Sequence, residues 1–435
     1  MSHPPATKLV RAGNSSLSGP TVPRWGAFGR TAWREIRRRR PETGKHGCFS
    51  LLAPPTPPVI AFAALAGGKH LETNVVIVGA GPAGLAVAAC LKQAGVDFLI
   101  LEKADEVAPS WRRHYRRLHL HTVKSFSSLP FAPFPKSHPR YVPREKVVAY
   151  LDAYAERFRL EPRFGVTVKS IRREGDRLLV QTDAGLFSAR RIVVATGNNA
   201  QPIMPNFPGI EDFKGKVLHS AAYTEAAPYA GKDVLIVGMG NTGAEIALDL
   251  AESGAHPTIS VRKGVHIVPR QLFGVPIQMV GIASRTMPRS VNDWMFPKIL
   301  DLALGRLERY GIVRPKQGIL QGIEAGRIPV IDIGTVAEIK AGRIGIAPDI
   351  ASFTGDGVKF VDGVEKKFDA AIFATGYRPA YDAFLPAELR PDKSGVNARA
   401  SELGVYLVGF HNPVTGLLRE IGIEAQAVAK DIAGR

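Results

Sequence analysis

Two glycine-spaced loops in near-identical surroundings constrain this chain more than any other feature. The first lies in NVVIVGAGPAGLAVAACLKQAGVDFLILEK and the second in KDVLIVGMGNTGAEIALDLAESGAHPTISVRK. In each, a short β-branched run (Val75 to Val78, Val234 to Val237) reads as a buried parallel strand. An Ala- and Leu-rich stretch (Leu85 to Ala94, Ala244 to Ser253) then reads as a helix stopped by Gly95 or Gly254. Strand, tight turn and helix in that order form the unit that holds a dinucleotide pyrophosphate at a helix N-terminus. The first glycine of each loop, Gly79 or Gly238, permits the turn. The second, Gly81 or Gly240, lets backbone approach a phosphate, and the third, Gly84 or Gly243, lets the helix pack close to the sheet. Ala80, Pro82, Ala83, Asn241 and Thr242 complete two cofactor-binding loops. Two such units predict an α/β fold with two Rossmann-like dinucleotide-binding domains.

The ends of the following strands separate the two sites. After the first unit, Val96 to Leu101 ends in Glu102, a carboxylate placed to accept ribose hydroxyls. After the second, Thr258 to Val261 ends in Arg262 and Lys263. A carboxylate there would repel a 2′-phosphate, whereas a guanidinium takes it by paired hydrogen bonds. The first loop is therefore expected to bind FAD or NAD and the second NADPH. ARRIVVATGN and FDAAIFATGYRP each run an apolar strand into Ala-Thr-Gly, which puts Thr196, Gly197, Thr375 and Gly376 at the carboxyl edge of a parallel sheet. LGVYLVGFHNPVTGLLREIGIEAQAVAKDI then reads as a strand, a turn and a closing helix. The N-terminus of that helix is placed to stabilise negative charge on a reduced flavin.

These positions make the first domain discontinuous, 71–200 and 375–435, around a second domain at 201–374 that carries an insertion at 264–326. Residues 1–70 form a basic, Pro-rich extension expected to be disordered. They hold eleven Lys or Arg against two acids, half of the net charge of +18. The run Arg37 to Arg40 has no interleaved aromatics, so it reads as a solvated tail and not as a specific nucleic-acid site. The extension is also compatible with a targeting segment or an over-long start. No stretch reaches the roughly 18 apolar residues of a membrane span. Cys48 and Cys90 are too few for a disulfide framework or a C-x-x-C pair, so a reducing, cytoplasmic setting is expected, with no metal site.

Between the two loops stands Phe213, Gly215, His219 and Tyr223, an F-x-G-x-x-x-H-x-x-x-Y spacing, and Phe373 to Tyr377 reads FATGY. GAGPAG, this spacing, GMGNTG and FATGY, in that order, resemble the flavin-containing monooxygenases over roughly residues 72 to 432. The stretches Ser110 to Phe158, Val261 to Gly274 and Asp332 to Ile344 resemble the YUCCA-type subgroup, which converts indole-3-pyruvate to indole-3-acetate. The resemblance implies FAD at the first loop and NADPH at the second. It implies that NADPH reduces FAD, oxygen adds at the flavin C4a carbon and the resulting peroxide attacks a small-molecule substrate. Oxidative decarboxylation of indole-3-pyruvate or a related aromatic 2-oxo acid is the reaction expected. N- or S-oxygenation of a small soft nucleophile is one alternative, and a flavin-bound redox sensor or partner-binding module is another. Disulfide reductases share the architecture but need a cysteine pair.

Residue by residue, the same resemblance puts His121 where the classical enzymes carry an Asn over the flavin, and makes it the catalytic candidate. Trp111 is implied beside the flavin, and His219 and Tyr223 beside the nicotinamide path, with Gly215 setting a turn. Tyr377 is implied at the seam between domains. In the insertion, Trp294 and Phe296 begin an amphipathic helix expected to roof the site or dock a partner, flanked by Arg270 and Arg285 as carboxylate candidates. A homodimer is compatible with this reading.

Overall fold

Short runs of Val, Ile and Leu buried on both faces favour central parallel strands, and these set the architecture. A computed structural model describes residues 71–435 apart from 285, 412, 414 and 435. The expectations for residues 1–70 and for Arg285 lie outside the described residues.

The first sheet is built around Leu71–Val78, flanked in parallel by Phe98–Leu101 and Gly185–Val194. Gly185–Val194 carries two partners on its other edge. Its first half pairs antiparallel with Arg177–Thr182, and its last residues pair in parallel with Val405–Leu407. The return of the chain at 405 to a sheet begun at 71 makes the first lobe discontinuous. The helix Pro82–Gln93 packs on this sheet and on the closing helix Leu417–Ala433, burying an Ala- and Leu-rich face.

The second sheet is parallel throughout, in the order Gly345–Ala347, His256–Ser260, Asp233–Val237, Ala370–Phe373, Lys216–His219. The helix Asn241–Glu252 connects its two central-unit strands. Both glycine-loop helices start three residues before the sequence pattern suggests, at Pro82 and Asn241, because Gly81 and Gly240 are their N-caps. The third glycine of each loop thus lies inside a helix, where tertiary packing overrides its low propensity. The chain crosses between the lobes twice. The two crossings lie side by side, with Gln201–Pro202 pairing antiparallel with Tyr377–Arg378. Among the described residues no helix is long and apolar enough to cross a membrane.

Candidate active site

At the first loop, each glycine has a separate physical reason. Gly79 has φ +108°, and a Cβ there would stand 2.7 Å from the Ala195 carbonyl oxygen. A Cβ on Gly84 would stand 1.9 Å from the Gly79 carbonyl oxygen. Gly81 has nothing within 4 Å of its missing Cβ. The second loop repeats the pattern: Gly238 has φ +103°, Gly243 would meet the Gly238 carbonyl oxygen at 2.1 Å, and Gly240 faces open space. In both loops the outer glycines are demanded by the protein itself and the middle one leaves room for something else.

Glu102 is buried, and its two oxygens accept the backbone N–H groups of Ala80 at 2.7 Å and Ala104 at 2.9 Å. It therefore shapes the loop as well as presenting carboxylate lone pairs beside it. Thr196 Oγ1 is buried with no hydrogen-bond partner among the described residues. Gly79, Gly81, Pro82, Ala83, Glu102, Trp111, His121, Thr196 and Gly197 all line one cavity of about 650 Å³. An unsatisfied hydroxyl, a bare glycine and a helix N-terminus at one end of this space fit the ribose-pyrophosphate of FAD. Gly416 and Leu417, at the N-terminus of the closing helix, line it too.

The second loop reaches the cavity through Asn241 alone. Its side chain accepts from Ile331 N–H at 2.7 Å and donates to the Pro329 carbonyl at 3.3 Å, so it also ties the helix to the strand Val330–Asp332. Thr242 is half-buried in the same turn, and Arg262 and Lys263 are exposed at the end of the adjacent strand. A bare Gly240 with two free-standing cations beyond it fits a phosphorylated dinucleotide.

The insertion supplies the far wall: Val268, Ile277, Phe296, Ile319, Leu320 and Ile323 present an apolar surface. The polar groups within it are engaged. Gln278 accepts from Val123 N–H at 3.2 Å and donates to the Thr415 carbonyl, and Ser284 donates to the Gly281 carbonyl at 2.9 Å. Trp294, expected on this wall, is instead 66% exposed with Lys298 Nζ 3.6 Å above its ring. Phe296, two residues on, faces the cavity because residues two apart stand on opposite sides of a helix. Arg270 stacks over Tyr141 at 4.3 Å and does not line the cavity.

The F-x-G-x-x-x-H-x-x-x-Y residues are given structural partners. Gly215 has no left-handed backbone to explain it. A Cβ there would collide with the Phe213 ring at 2.4 Å and the Asp369 carbonyl oxygen at 2.8 Å. His219 shares a hydrogen bond of 3.1 Å with the Gly376 carbonyl and accepts from Ala221 N–H at 3.1 Å, with Tyr377 edge-on to its ring at 4.9 Å. Burial holds the His219 imidazole below its ordinary pKa. Tyr223 is 1% exposed and donates to Asp249 Oδ2 at 2.6 Å. Neither lines the cavity, and both belong to a seam that ties the two crossings to the second lobe. Thr375 and Gly376 belong to the same seam, the Thr375 hydroxyl donating to the Ile203 carbonyl and Gly376 taking φ +86°.

Glu245 escaped the motif reading altogether. It sits in the second-loop helix, 1% exposed, and binds two residues from the segment that follows Trp111. Tyr115 Oη donates to its Oε2 at 3.1 Å and His121 Nε2 pairs with its Oε1. Burial, with Glu245 beside it, pushes the Tyr115 hydroxyl well above its usual pKa. Arg117 from the same segment pairs with Glu252 on that helix.

Residues 76–269 match the family model described as pyridine nucleotide-disulphide oxidoreductase. Disulphide chemistry finds no pair here: among the described residues the one cysteine is Cys90, free and buried, its thiol pushed up to about 12. The indole-3-pyruvate monooxygenase YUCCA1 of Oryza sativa subsp. japonica is 41% identical over 372 residues, 82% of this chain and 91% of that protein. The probable indole-3-pyruvate monooxygenase YUCCA3 of Arabidopsis thaliana is 41% identical over 383 residues, 83% of this chain and 86% of that one. The flavin-containing monooxygenase from Stenotrophomonas maltophilia superposes with a TM-score of 0.63 at 25% identity, covering 84% of this chain and 99% of that chain. With a flavin loop, a second nucleotide loop and one cavity between them, the chain belongs to the YUCCA-type flavin-containing monooxygenases and is an FAD- and NADPH-dependent oxidoreductase.

Proposed function

We propose that the enzyme, acting in the cytoplasm, converts indole-3-pyruvate or a closely related aromatic 2-oxo acid to the acid one carbon shorter. One oxygen atom of O2 enters the new carboxylate and the other leaves as water. NADPH supplies two electrons as hydride, one proton is taken up, and the old carboxylate leaves as carbon dioxide. The observation that carries the reading is the single cavity that runs from the first loop at Gly81 to the apolar wall at Phe296 and Ile323.

FAD, when bound, supplies the electron transfer and oxygen activation that no side chain provides. The chain's part is binding, orientation and dryness. Gly81 and the first turn of Pro82–Gln93 approach the pyrophosphate, Glu102 takes ribose hydroxyls, and Thr196 Oγ1 finds its missing partner on the cofactor. Arg262 and Lys263 hold the 2′-phosphate of NADPH. The apolar wall packs an indole and excludes water, which keeps reactive oxygen chemistry on the substrate. The N-terminus of Leu417–Ala433 offers its unpaired N–H groups to negative charge.

The test is turnover of indole-3-pyruvate under ¹⁸O2 with NADPH. Indole-3-acetate carrying one ¹⁸O atom is expected, in step with NADPH oxidation. NADPH consumption that yields only hydrogen peroxide, with no labelled acid, would overturn the assignment.

A further inference from the structure

A carboxylate taken almost wholly out of water is costly unless charged or hydrogen-bonding groups meet it. Glu245 is such a group, and both its partners come from the other lobe: Tyr115, donating at 3.1 Å, and His121. A carboxylate only accepts, so the hydrogen between it and His121 belongs to His121 Nε2. That choice decides the other end of the ring. In the neutral imidazole Nδ1 is then a bare lone pair, and the bond to Glu245 is the one hydrogen bond the ring makes among the described residues. His121 lines the same cavity as Gly81 and Phe296, and Nδ1 is the ring nitrogen that Glu245 does not engage.

We propose that His121 carries the proton consumed in each turnover, and that Glu245, reaching across from the second-loop helix, is the positioning residue that fixes its tautomer and balances its charge. The inference rests on the reaction proposed above, which takes up one proton per cycle. Nδ1 accepts that proton from water and the imidazolium stands against the Glu245 carboxylate. Nδ1–H then gives it to the oxygen atom that departs as water. The N–H bond breaks, an O–H bond forms, the electron pair stays on Nδ1, and the ring returns to its neutral form. The groups in electrostatic reach of Glu245 are His114, Tyr115 and Arg117 from the segment of His121, with Asp249 and Tyr377 facing Tyr115 and Asp249 and Glu252 facing Arg117. None of them shares the hydrogen bond between His121 and Glu245. Because His121 and Glu245 sit in different lobes, the proton site is complete only when the lobes are docked.

The experiment uses the FAD-loaded enzyme, wild type, His121→Ala and Glu245→Gln. Glutamine keeps the shape and one acceptor but not the charge. Each variant is expected to lose keto-acid turnover by roughly 100-fold, the scale of general acid–base catalysis. That loss should exceed any loss in anaerobic flavin reduction by NADPH by at least about tenfold, and free imidazole should restore part of the His121→Ala turnover. An independent readout needs no turnover: ¹⁵N-histidine NMR of the wild-type protein should show His121 protonated at Nε2 and bare at Nδ1. A hydrogen on Nδ1 in the neutral ring would overturn the proposal, whatever the variants do. So would equal losses in flavin reduction and turnover, which would make the pair a latch between lobes, or the absence of any imidazole effect. Wild-type enzyme that fails to convert the keto acid sinks the proposed reaction instead, and leaves the tautomer result standing.

Discussion

Gly81→Ala and Gly84→Ala are the same substitution three residues apart, and the structure gives them opposite consequences. At Gly84 the new methyl carbon stands 1.9 Å from the Gly79 carbonyl oxygen, 3.0 Å from its carbon and 3.4 Å from Ile77 Cγ2. Non-bonded heavy atoms rest at about 3.5 Å, so backbone must move by more than about 1 Å. Neither side can yield easily, because the helix is buried from Ala83 to Leu91 and Gly79 is itself pressed against Ala195. Overpacking costs about 1–3 kcal/mol against side chains, and contact with backbone puts this case at or above the top of that range. Alanine's better helix propensity offsets about 1 kcal/mol. A net loss of about 2 kcal/mol or more remains.

At Gly81 the backbone has φ −77° and ψ −175°, which alanine adopts freely, and no protein atom lies within 4 Å of the new methyl. Only the N-cap preference is lost, under about 1 kcal/mol. The methyl instead fills the space through which backbone approaches the pyrophosphate, and FAD affinity should fall by about 100-fold, some 2.7 kcal/mol. Bound FAD would itself stabilise the fold, so the comparison belongs to apoprotein. Urea unfolding of the apo forms should set Gly84→Ala apart from wild type and Gly81→Ala. Quenching of FAD fluorescence should set Gly81→Ala apart as the weak binder. Apo Gly81→Ala as unstable as Gly84→Ala, or binding FAD as wild type does, would refute the reasoning. Gly240 and Gly243 repeat the contrast, with NADPH affinity as the readout.

Three further substitutions follow from individual side chains. Arg262→Ala should raise the KM for NADPH by about tenfold or more while NADH oxidation is unchanged, if the exposed guanidinium holds the 2′-phosphate as proposed; steady-state assays with both nucleotides check it. Tyr223→Phe removes an O–H donated to a carboxylate at 2.6 Å, so it should cost about 1.5–3 kcal/mol of stability with the NADPH KM unmoved. A raised KM at full stability would restore Tyr223 to the cofactor. Burial raises the Cys90 thiol from 9.0 to about 12, so between those values the unfolded chain has lost a proton that the folded one keeps. Its contribution to stability is complete below pH 9 and declines as pH rises toward 12. Cys90→Ala should flatten the fall of stability over that window in urea titrations.

The glycine loops were legible because their meaning is local: what Gly79, Gly81 and Gly84 must do follows from one turn and the helix it opens. The positions of Glu102, Arg262 and Lys263 were legible for the same reason, each following a strand whose place in the unit is fixed. The F-x-G-x-x-x-H-x-x-x-Y spacing was visible but its role was not. The partners of His219 and Tyr223 are Gly376 and Asp249, which only the second crossing and the second-loop helix bring to them. Glu245 was harder still. In AEIALDLAE, Glu245, Asp249 and Glu252 stand at i, i+4 and i+7 on one face of the helix, and only the docking of the first-lobe segment decides that Glu245 is the one buried. A side chain whose partner lies more than 100 positions away has no local signature, and His121 and Glu245 are such a pair. The residues proposed to bind cofactors lie within single units, whereas the residues that join the units are chosen by the assembled fold, so a pair shared between lobes, as His121 and Glu245 are, is where a motif reading falls short.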